Sequence, residues 1–415
     1  MSAEILAVGT EILLGDIVNT NAQYISKELA KLGIDVYYQT VVGDNPKRLE
    51  RALYEAFERA DIVITTGGMG PTRDDITKEI CAKYFEKDFV LDEKAYEMLK
   101  FFFEKINKEM TENNIKQVYV PEGSIVMYNH NGTAPGIILE GKGKTLVMLP
   151  GPPREMKPMF EEYAIPFFKK KSEYTFVSRV LRVARVGESK TEYMLRDLID
   201  NQTNPTIATY VKNVEAIVRI TARAKSEEEA NKLIDPVAEE IYRRFGKSIY
   251  AEGETNIQNV VCKKLIEENI TIACAESCTG GLVAAAFTDM PGISSVFKEG
   301  AVTYSNEAKM KRLGVKKETL DKYGAVSAQT AAEMAEGIAK TSGCEIGVST
   351  TGIAGPGGGT IEKPVGLVYI GFYRNGVVKT KKLNYPGLRE TVRARTVDAV
   401  FNFIRNELEG IDNEC

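Results

Sequence analysis

Ser277, Tyr304 and Lys309 are candidates for hydrolytic chemistry in a chain whose 415 residues contain a single His, His130, so that any base must be a carboxylate, a Lys, a Tyr or a metal-bound water. One His excludes a catalytic His pair and a multi-His zinc site. Ser277 stands in Ala275-Glu276-Ser277-Cys278-Thr279-Gly280-Gly281, which reads as a strand-to-helix turn. Such a turn exposes a Ser hydroxyl beside helix N-terminal amides that can serve as anion or oxyanion donors. Without His, the nucleophile needs another base. A desolvated Lys with a lowered pKa can act as one, and a Tyr can relay the proton. Lys309 and Tyr304, in Tyr304-Ser305-Asn306-Glu307-Ala308-Lys309, fit those roles. Cys278 is a rival nucleophile, although Cys at a buried strand end more often serves packing. Each residue alone also has a plain structural reading: Ser277 as a helix N-cap, Tyr304 as a half-buried strand aromatic, Lys309 as a solvated helix residue.

A second concentration of polar residues lies in Thr65-Thr66-Gly67-Gly68-Met69-Gly70-Pro71-Thr72-Arg73-Asp74-Asp75-Ile76-Thr77. It follows a buried strand and opens a helix. Glycines let the backbone approach an anion, and helix N-terminal amides favour phosphate. Asp74, Asp75 and Arg73 could hold a metal-bound phosphate; a structural turn with Asp N-caps is the alternative. Other turns of the same kind are Gly9-Thr10-Glu11, Gly43-Asp44-Asn45, Gly132-Thr133-Ala134-Pro135-Gly136 and Gly151-Pro152-Pro153-Arg154-Glu155. In a parallel sheet such loops converge on one edge. Glu11, Asp44, Asp74, Asp75 and Glu155 would then form a carboxylate-rich phosphate and metal site. Downstream of Ser277, Thr350-Thr351-Gly352-Ile353-Ala354-Gly355-Pro356-Gly357-Gly358-Gly359 is another Gly-rich strand-end loop, followed by Glu362-Lys363-Pro364-Val365-Gly366.

The elements that must position these residues alternate strand and helix. Residues 5–8, 35–42, 62–66 and 144–149 read as strands; 21–32, 46–59 and 156–168 read as helices. The alternation means βαβ units and a mostly parallel sheet. Lys169-Lys170-Lys171-Ser172 reads as a solvated linker. A small α+β segment follows, with strands at 177–186, 206–210 and 216–224, a helix at 191–199, and a helix at 226–245 opened by Ser226 and Glu229 as a capping box. It carries no catalytic signature and reads as a spacer or dimerisation domain. From about residue 255 a second α/β pattern starts. Strands are expected at 271–275, 300–304, 346–350, 367–372 and 378–383, and helices at 256–268, 281–288, 330–341 and 388–409. The expected fold is therefore two separate α/β three-layer domains with mostly parallel sheets, residues 1–170 and 253–415, joined by a small α+β domain, residues 171–252.

Composition agrees with a soluble globular protein: 43% hydrophobic, 27% charged, net charge -4. That balance excludes a strongly basic nucleic-acid binder. The six Cys are scattered, with no Cys-x-x-Cys pair, so reduced thiols and a cytoplasmic setting are expected. No basic leader opens the chain, and no apolar run reaches the ~18 residues of a membrane span.

These motifs resemble a known family. The stretch Gly67 to Thr77 resembles the Gly-Gly-Thr-Gly…Asp-x-Thr motif of molybdopterin-binding domains of the MoaB/MogA type, with Met69 in place of the family's Thr. With Gly9-Thr-Glu11-Ile-Leu-Leu-Gly15 and Leu149-Pro-Gly-Pro-Pro-Arg-Glu155 it is similar to the N-terminal domain of the CinA proteins. The motifs AESCTGG, YSNEAK, TGIAGPGGG and EKPVG resemble the CinA C-terminal domain, which also occurs alone as nicotinamide mononucleotide (NMN) deamidase. The resemblance implies Ser277, Tyr304 and Lys309 as catalytic set and Thr351 and Arg389 as substrate-site residues. Amides near Thr279, Gly280 and Gly281 would hold an oxyanion or phosphate, and those of Gly355, Gly357 and Gly358 a nucleotide phosphate. For the first domain it implies a metal-dependent ADP-ribose pyrophosphatase with Asp44 and Asp75 as catalytic acids. Asp44 and Asp75 would hold a divalent Mg, Mn or Co ion, supported by Glu11, Asp74 or Glu155. Thr10, Gly67, Gly68, Gly70, Gly132 and Thr133 would line the substrate, and Arg73 would neutralise phosphate. The amidase domain needs no cofactor. NMN and ADP-ribose are the expected partners and a homodimer the expected assembly. No membrane or direct nucleic-acid contact is expected, and a recombination protein enters as a partner by family association only. The competing readings are a pterin- or nucleotide-binding relic in the first domain, and a chain that acts as a competence or recombination interaction protein.

Overall fold

The computed structural model describes residues 1–212 and 215–411. The chain falls into two compact units, Met1–Ser178 with Ala222–Leu233, and Arg179–Thr221 with Ile234–Cys415. In the first unit a six-stranded sheet runs in the order Asp35–Val42, Ser2–Val8, Ile62–Thr66, Lys144–Leu149, Gly136–Gly141, Ile125–Met127. Its first four strands are parallel and its last two antiparallel. Alternate residues of each strand feed opposite faces: Leu6 and Val63 join one core with Leu53 and Phe57, while Ile5 and Ile64 join another with Ile25 and Phe160. Helices therefore cover both faces, giving three layers. Asn19 and Asn45 fix two helix starts by accepting from the amides of Ala22 and Arg48 at 3.0 and 3.1 Å. The chain changes direction across the sheet between Ser2–Val8 and Ile62–Thr66, a switch point whose strand-end loops form a natural crevice.

Several elements differ from expectation. The antiparallel edge, Gly136–Gly141 and Ile125–Met127, follows runs too short to signal strands by periodicity. The closing helix begins at Pro153 and is broken by a π turn at Phe160–Ala164, with Pro158 inside its first part. Lys169 to Lys171 are not linker; they form the last turn of Ile165–Lys171, where cations suit the helix C-terminus.

The middle segment forms a four-stranded sheet ordered Thr206–Lys212, Glu215–Ala224, Thr175–Ala184, Ile249–Glu252. The Ser226 hydroxyl accepts from Glu229 N–H at 3.2 Å, but Glu229 reaches back to Lys225 N–H, not to the cap itself. In the second unit a five-stranded sheet runs Phe297–Val302, Ile272–Glu276, Ile346–Gly352, Leu367–Arg374, Val377–Asn384. The first three strands are parallel and the last two antiparallel. Ile257–Glu267, Leu282–Thr288 and Arg389–Glu409 bury Val261, Phe287 and Phe401 on one face, and Asn306–Leu313 and Ala328–Ser342 bury Leu313 and Met334 on the other. Among the described residues, no helix is long and apolar enough to cross a membrane.

Candidate active site

The parallel strands Ile272–Glu276, Phe297–Val302 and Ile346–Gly352 end side by side, so their C-terminal loops bring Ser277, Tyr304, Lys309 and Thr351 together. They line one cavity of about 200 Å³ with Cys278, Ala325, Val326, Gly352, Ala354 and Arg389. Ser277 is not a helix cap: the next helix starts at Leu282, with Gly281 as its N-cap at φ 98. Lys309 is not solvated: it is 1% exposed. Its Nζ lies 3.1 Å from Ser277 Oγ and donates to the carbonyls of Thr303 (2.9 Å) and Tyr304 (3.2 Å). Burial pulls its pKa below the usual lysine value, which favours the neutral amine a base must be. Cys278 is 5% exposed, and burial raises its thiol to about 11, so it stays protonated.

Three expectations need correction. The Tyr304 hydroxyl meets Arg389 Nη2 at 3.4 Å and touches neither Ser277 nor Lys309. The residue is 62% exposed at the mouth of the cavity, and its hydroxyl makes no hydrogen bond through which it could relay the Ser277 proton directly. The helix N-terminal amides are also engaged. Those of Gly281 (3.0 Å) and Ala284 (2.8 Å) donate to the Glu276 carboxylate, and that of Gly280 donates to Ser277 O. Thr279 is fully buried, its hydroxyl 2.7 Å from Thr350 Oγ1. Finally, Gly355, Gly357 and Gly358 do not line the cavity; Arg389 Nη1 holds Gly355 O at 2.9 Å. Thr351 is buried, its hydroxyl donating to Ala325 O at 2.7 Å.

In the first unit a cleft of about 580 Å³ opens at the switch point. Glu11, Asp44, Asp74, Asp75 and Glu155 all line it, with Gly67, Gly68, Gly70 and Thr133; Thr10, Arg73 and Gly132 do not. The convergence is real, but no group of three or more acidic, Cys or His residues among the described ones is placed to hold a metal ion. Asp44, Asp75 and Glu155 each have a hydrogen-bond partner already. Asp44 Oδ2 accepts from Thr10 N (3.0 Å) and Thr10 Oγ1 (2.8 Å). Asp75 Oδ2 accepts from the amide of Thr72 at 2.9 Å and from its hydroxyl, so Asp75 closes a turn and is not a helix cap; the N-cap is Ile76. Glu155 accepts from Asn129 Nδ2 at 2.8 Å, and burial raises its pKa. The residues present therefore do not form a ligand shell. The glycines have local reasons as well: a Cβ on Gly67 (φ +102) would stand 2.1 Å from Val8 O, and one on Gly68 (φ +66) 2.2 Å from Thr77 Oγ1.

Residues 254–408 match the family model "CinA C-terminal domain", residues 4–170 "Probable molybdopterin binding domain", and residues 178–251 "Damage-inducible protein CinA KH domain". A putative competence-damage inducible protein of Clostridium acetobutylicum is 59% identical over 98% of this chain and 99% of its own length. One from Clostridium perfringens is 57% identical over 99% of this chain and its full length. The chain belongs to the CinA family. A solved competence/damage inducible protein of Agrobacterium tumefaciens is 41% identical, covering 36% of this chain and 95% of its own, with a TM-score of 0.35. The middle segment thus belongs to the CinA KH type, a type that its reading as a spacer or dimerisation domain did not name. Its span holds only Gly187 and Gly246, so it lacks the Gly-x-x-Gly loop by which KH modules clamp a nucleotide backbone.

Sequence reasoning also passed over Glu276, Arg393, Asn21 and Gln117. Glu276 stands inside the quoted Ser277 motif, which was its one signal. Asn21 and Gln117 line the first cleft at 7% and 2% exposure, and nothing in their neighbourhood marks them.

Proposed function

We propose that the C-terminal domain hydrolyses the carboxamide of nicotinamide mononucleotide to nicotinic acid mononucleotide and ammonia. The observation that carries this reading is the buried Lys309 Nζ at 3.1 Å from Ser277 Oγ. Neutral Lys309 removes the Ser277 proton as Oγ adds to the carboxamide carbon, and the C=O electron pair moves to oxygen. Collapse of that intermediate breaks the C–N bond, with the Lys309 proton passing to the departing nitrogen, so ammonia leaves and an acyl-serine remains. Water, deprotonated by the same amine, then hydrolyses the ester to carboxylate and restores Ser277. Arg389 and Tyr304 stand at the cavity mouth, where a guanidinium and a phenol suit a phosphate and a ribose. The test is ammonia release from NMN by the purified chain, with and without EDTA.

A second reading concerns the first unit: hydrolysis of ADP-ribose to AMP and ribose 5-phosphate. It is favoured by five carboxylates and a glycine-rich loop lining one cleft. The carboxylates do not form a metal shell, so no step is routed through an ion. AMP formation from ADP-ribose, measured in the same incubations, tests it.

A further inference from the structure

In the turn that carries Ser277, all but two backbone N–H groups have an internal acceptor. The Ser277 amide donates to Thr350 O (2.9 Å), that of Gly280 to Ser277 O (3.2 Å) and that of Leu282 to Thr279 O (3.4 Å). Glu276 accepts the next set: its Oε2 takes the Gly281 and Val283 amides, both at 3.0 Å, and its Oε1 takes that of Ala284 at 2.8 Å. Among the described residues, the amides of Cys278 and Thr279 have no carbonyl, carboxylate or hydroxyl acceptor. Cys278 is 5% and Thr279 0% exposed, and the Cys278 amide meets only its own thiol, a weak acceptor. Of the two, Cys278 lines the cavity and Thr279 does not, and an amide directly after a nucleophile suits a developing oxyanion.

Two side chains produce that arrangement. Glu276, 1% exposed, draws the helix N-terminal amides to itself and away from the cavity. The three amide donors fix the Glu276 carboxyl group in place. Arg393, on Arg389–Glu409, donates from Nη2 to Thr279 O at 2.7 Å and so holds the other side of the turn. Gly280 sits between them at φ +59, where a Cβ would come 3.4 Å from Arg393 Nη2. Resting on the amidase reading, the geometry points to Glu276 and Arg393 as positioning residues that hold the turn so that the amide of Cys278, which lines the cavity, receives the oxyanion. This replaces the helix N-terminus as the source of oxyanion stabilisation.

The test uses the full chain and the variants Glu276→Gln, Arg393→Met and Arg393→Lys. Gln turns one acceptor into a donor facing an N–H. Three quantities are read: kcat and KM for NMN, the rate at which a fluorophosphonate labels Ser277, and the melting temperature. Losing aligned oxyanion donors costs on the order of 100-fold in kcat, so Glu276→Gln should lose about that much at nearly unchanged KM, and label Ser277 correspondingly slowly. Arg393→Met should lose less, and Arg393→Lys should recover part of it. A folded Glu276→Gln protein with near-normal kcat and labelling overturns the inference, as does a loss that tracks only the folded fraction. If the wild type labels at Ser277 but releases no ammonia from NMN, the substrate reading fails, and labelling alone decides: slower in Glu276→Gln supports the positioning role, equal rates overturn it. An unlabelled wild type overturns both.

Discussion

Replacing Lys309 by Met removes the amine and keeps the length of the side chain. Lys309 is 1% exposed and its Nζ holds Ser277 Oγ and the carbonyls of Thr303 and Tyr304. Thr303 is 2% exposed, so its carbonyl would be left buried without a donor, at a cost of roughly 1–3 kcal/mol. Loss of a positioned general base lowers turnover by roughly 100- to 10,000-fold. The two effects separate by pH. Burial holds the Lys309 pKa below 10.5, so wild-type kcat/KM should rise with pH and level off above a pKa lower than 10.5. The Met variant should lack that limb. Stability follows the same linkage. Between the folded and unfolded pKa values the unfolded chain binds more protons, so the burden of a charged Lys309 is present at low pH and is relieved as pH rises through the folded pKa toward 10.5. The melting temperature of the wild type should therefore gain on that of Lys309→Met as the solution becomes alkaline. A pH–rate profile from ammonia release and parallel melting curves measure both. A Lys309→Met protein that keeps the wild-type limb, or most of its turnover, refutes the assignment of the base.

Three further outcomes follow. Cys278→Ala should keep most NMN turnover, because the thiol is pushed up to about 11; loss of turnover there with survival in Ser277→Ala would reverse the nucleophile. Asp75→Asn preserves an acceptor for the Thr72 amide and should leave the melting temperature near that of the wild type, while ADP-ribose cleavage falls, because the reading makes the cleft's carboxylates its reactive groups, and NMN deamidation is unchanged; near-normal AMP formation in that variant sinks the reading of the first cleft. The fragment 253–415 should release ammonia from NMN in the presence of EDTA, and a folded but inactive fragment would show that the middle segment completes the site.

The layered α/β frame was legible because Ile62–Thr66 and Ile272–Glu276 are buried strands that end directly in glycine-rich turns. Strand-end convergence then follows from parallel pairing alone. The environment of each side chain was not legible. Nothing local tells that Lys309 faces inward from a helix rich in charge, or that Tyr304 turns its hydroxyl to Arg389 and offers Lys309 only its carbonyl. The helix after Ser277 looked like an open anion site because the sequence does not reveal that Glu276 folds back onto the amides of Gly281, Val283 and Ala284. Likewise the acidic loops of the first unit reach one cleft, but Thr10 and Thr72 already occupy Asp44 and Asp75.

The central claim is that Ser277 is the nucleophile of an NMN amidase. Ammonia release from NMN by the wild type and by Ser277→Ala, compared at equal folded fraction, tests it most directly. The hydroxyl lies beside Lys309 and caps no helix, so its loss should abolish ammonia release while the melting temperature stays near that of the wild type. Steady ammonia release from Ser277→Ala, or none from the wild type, would contradict the account.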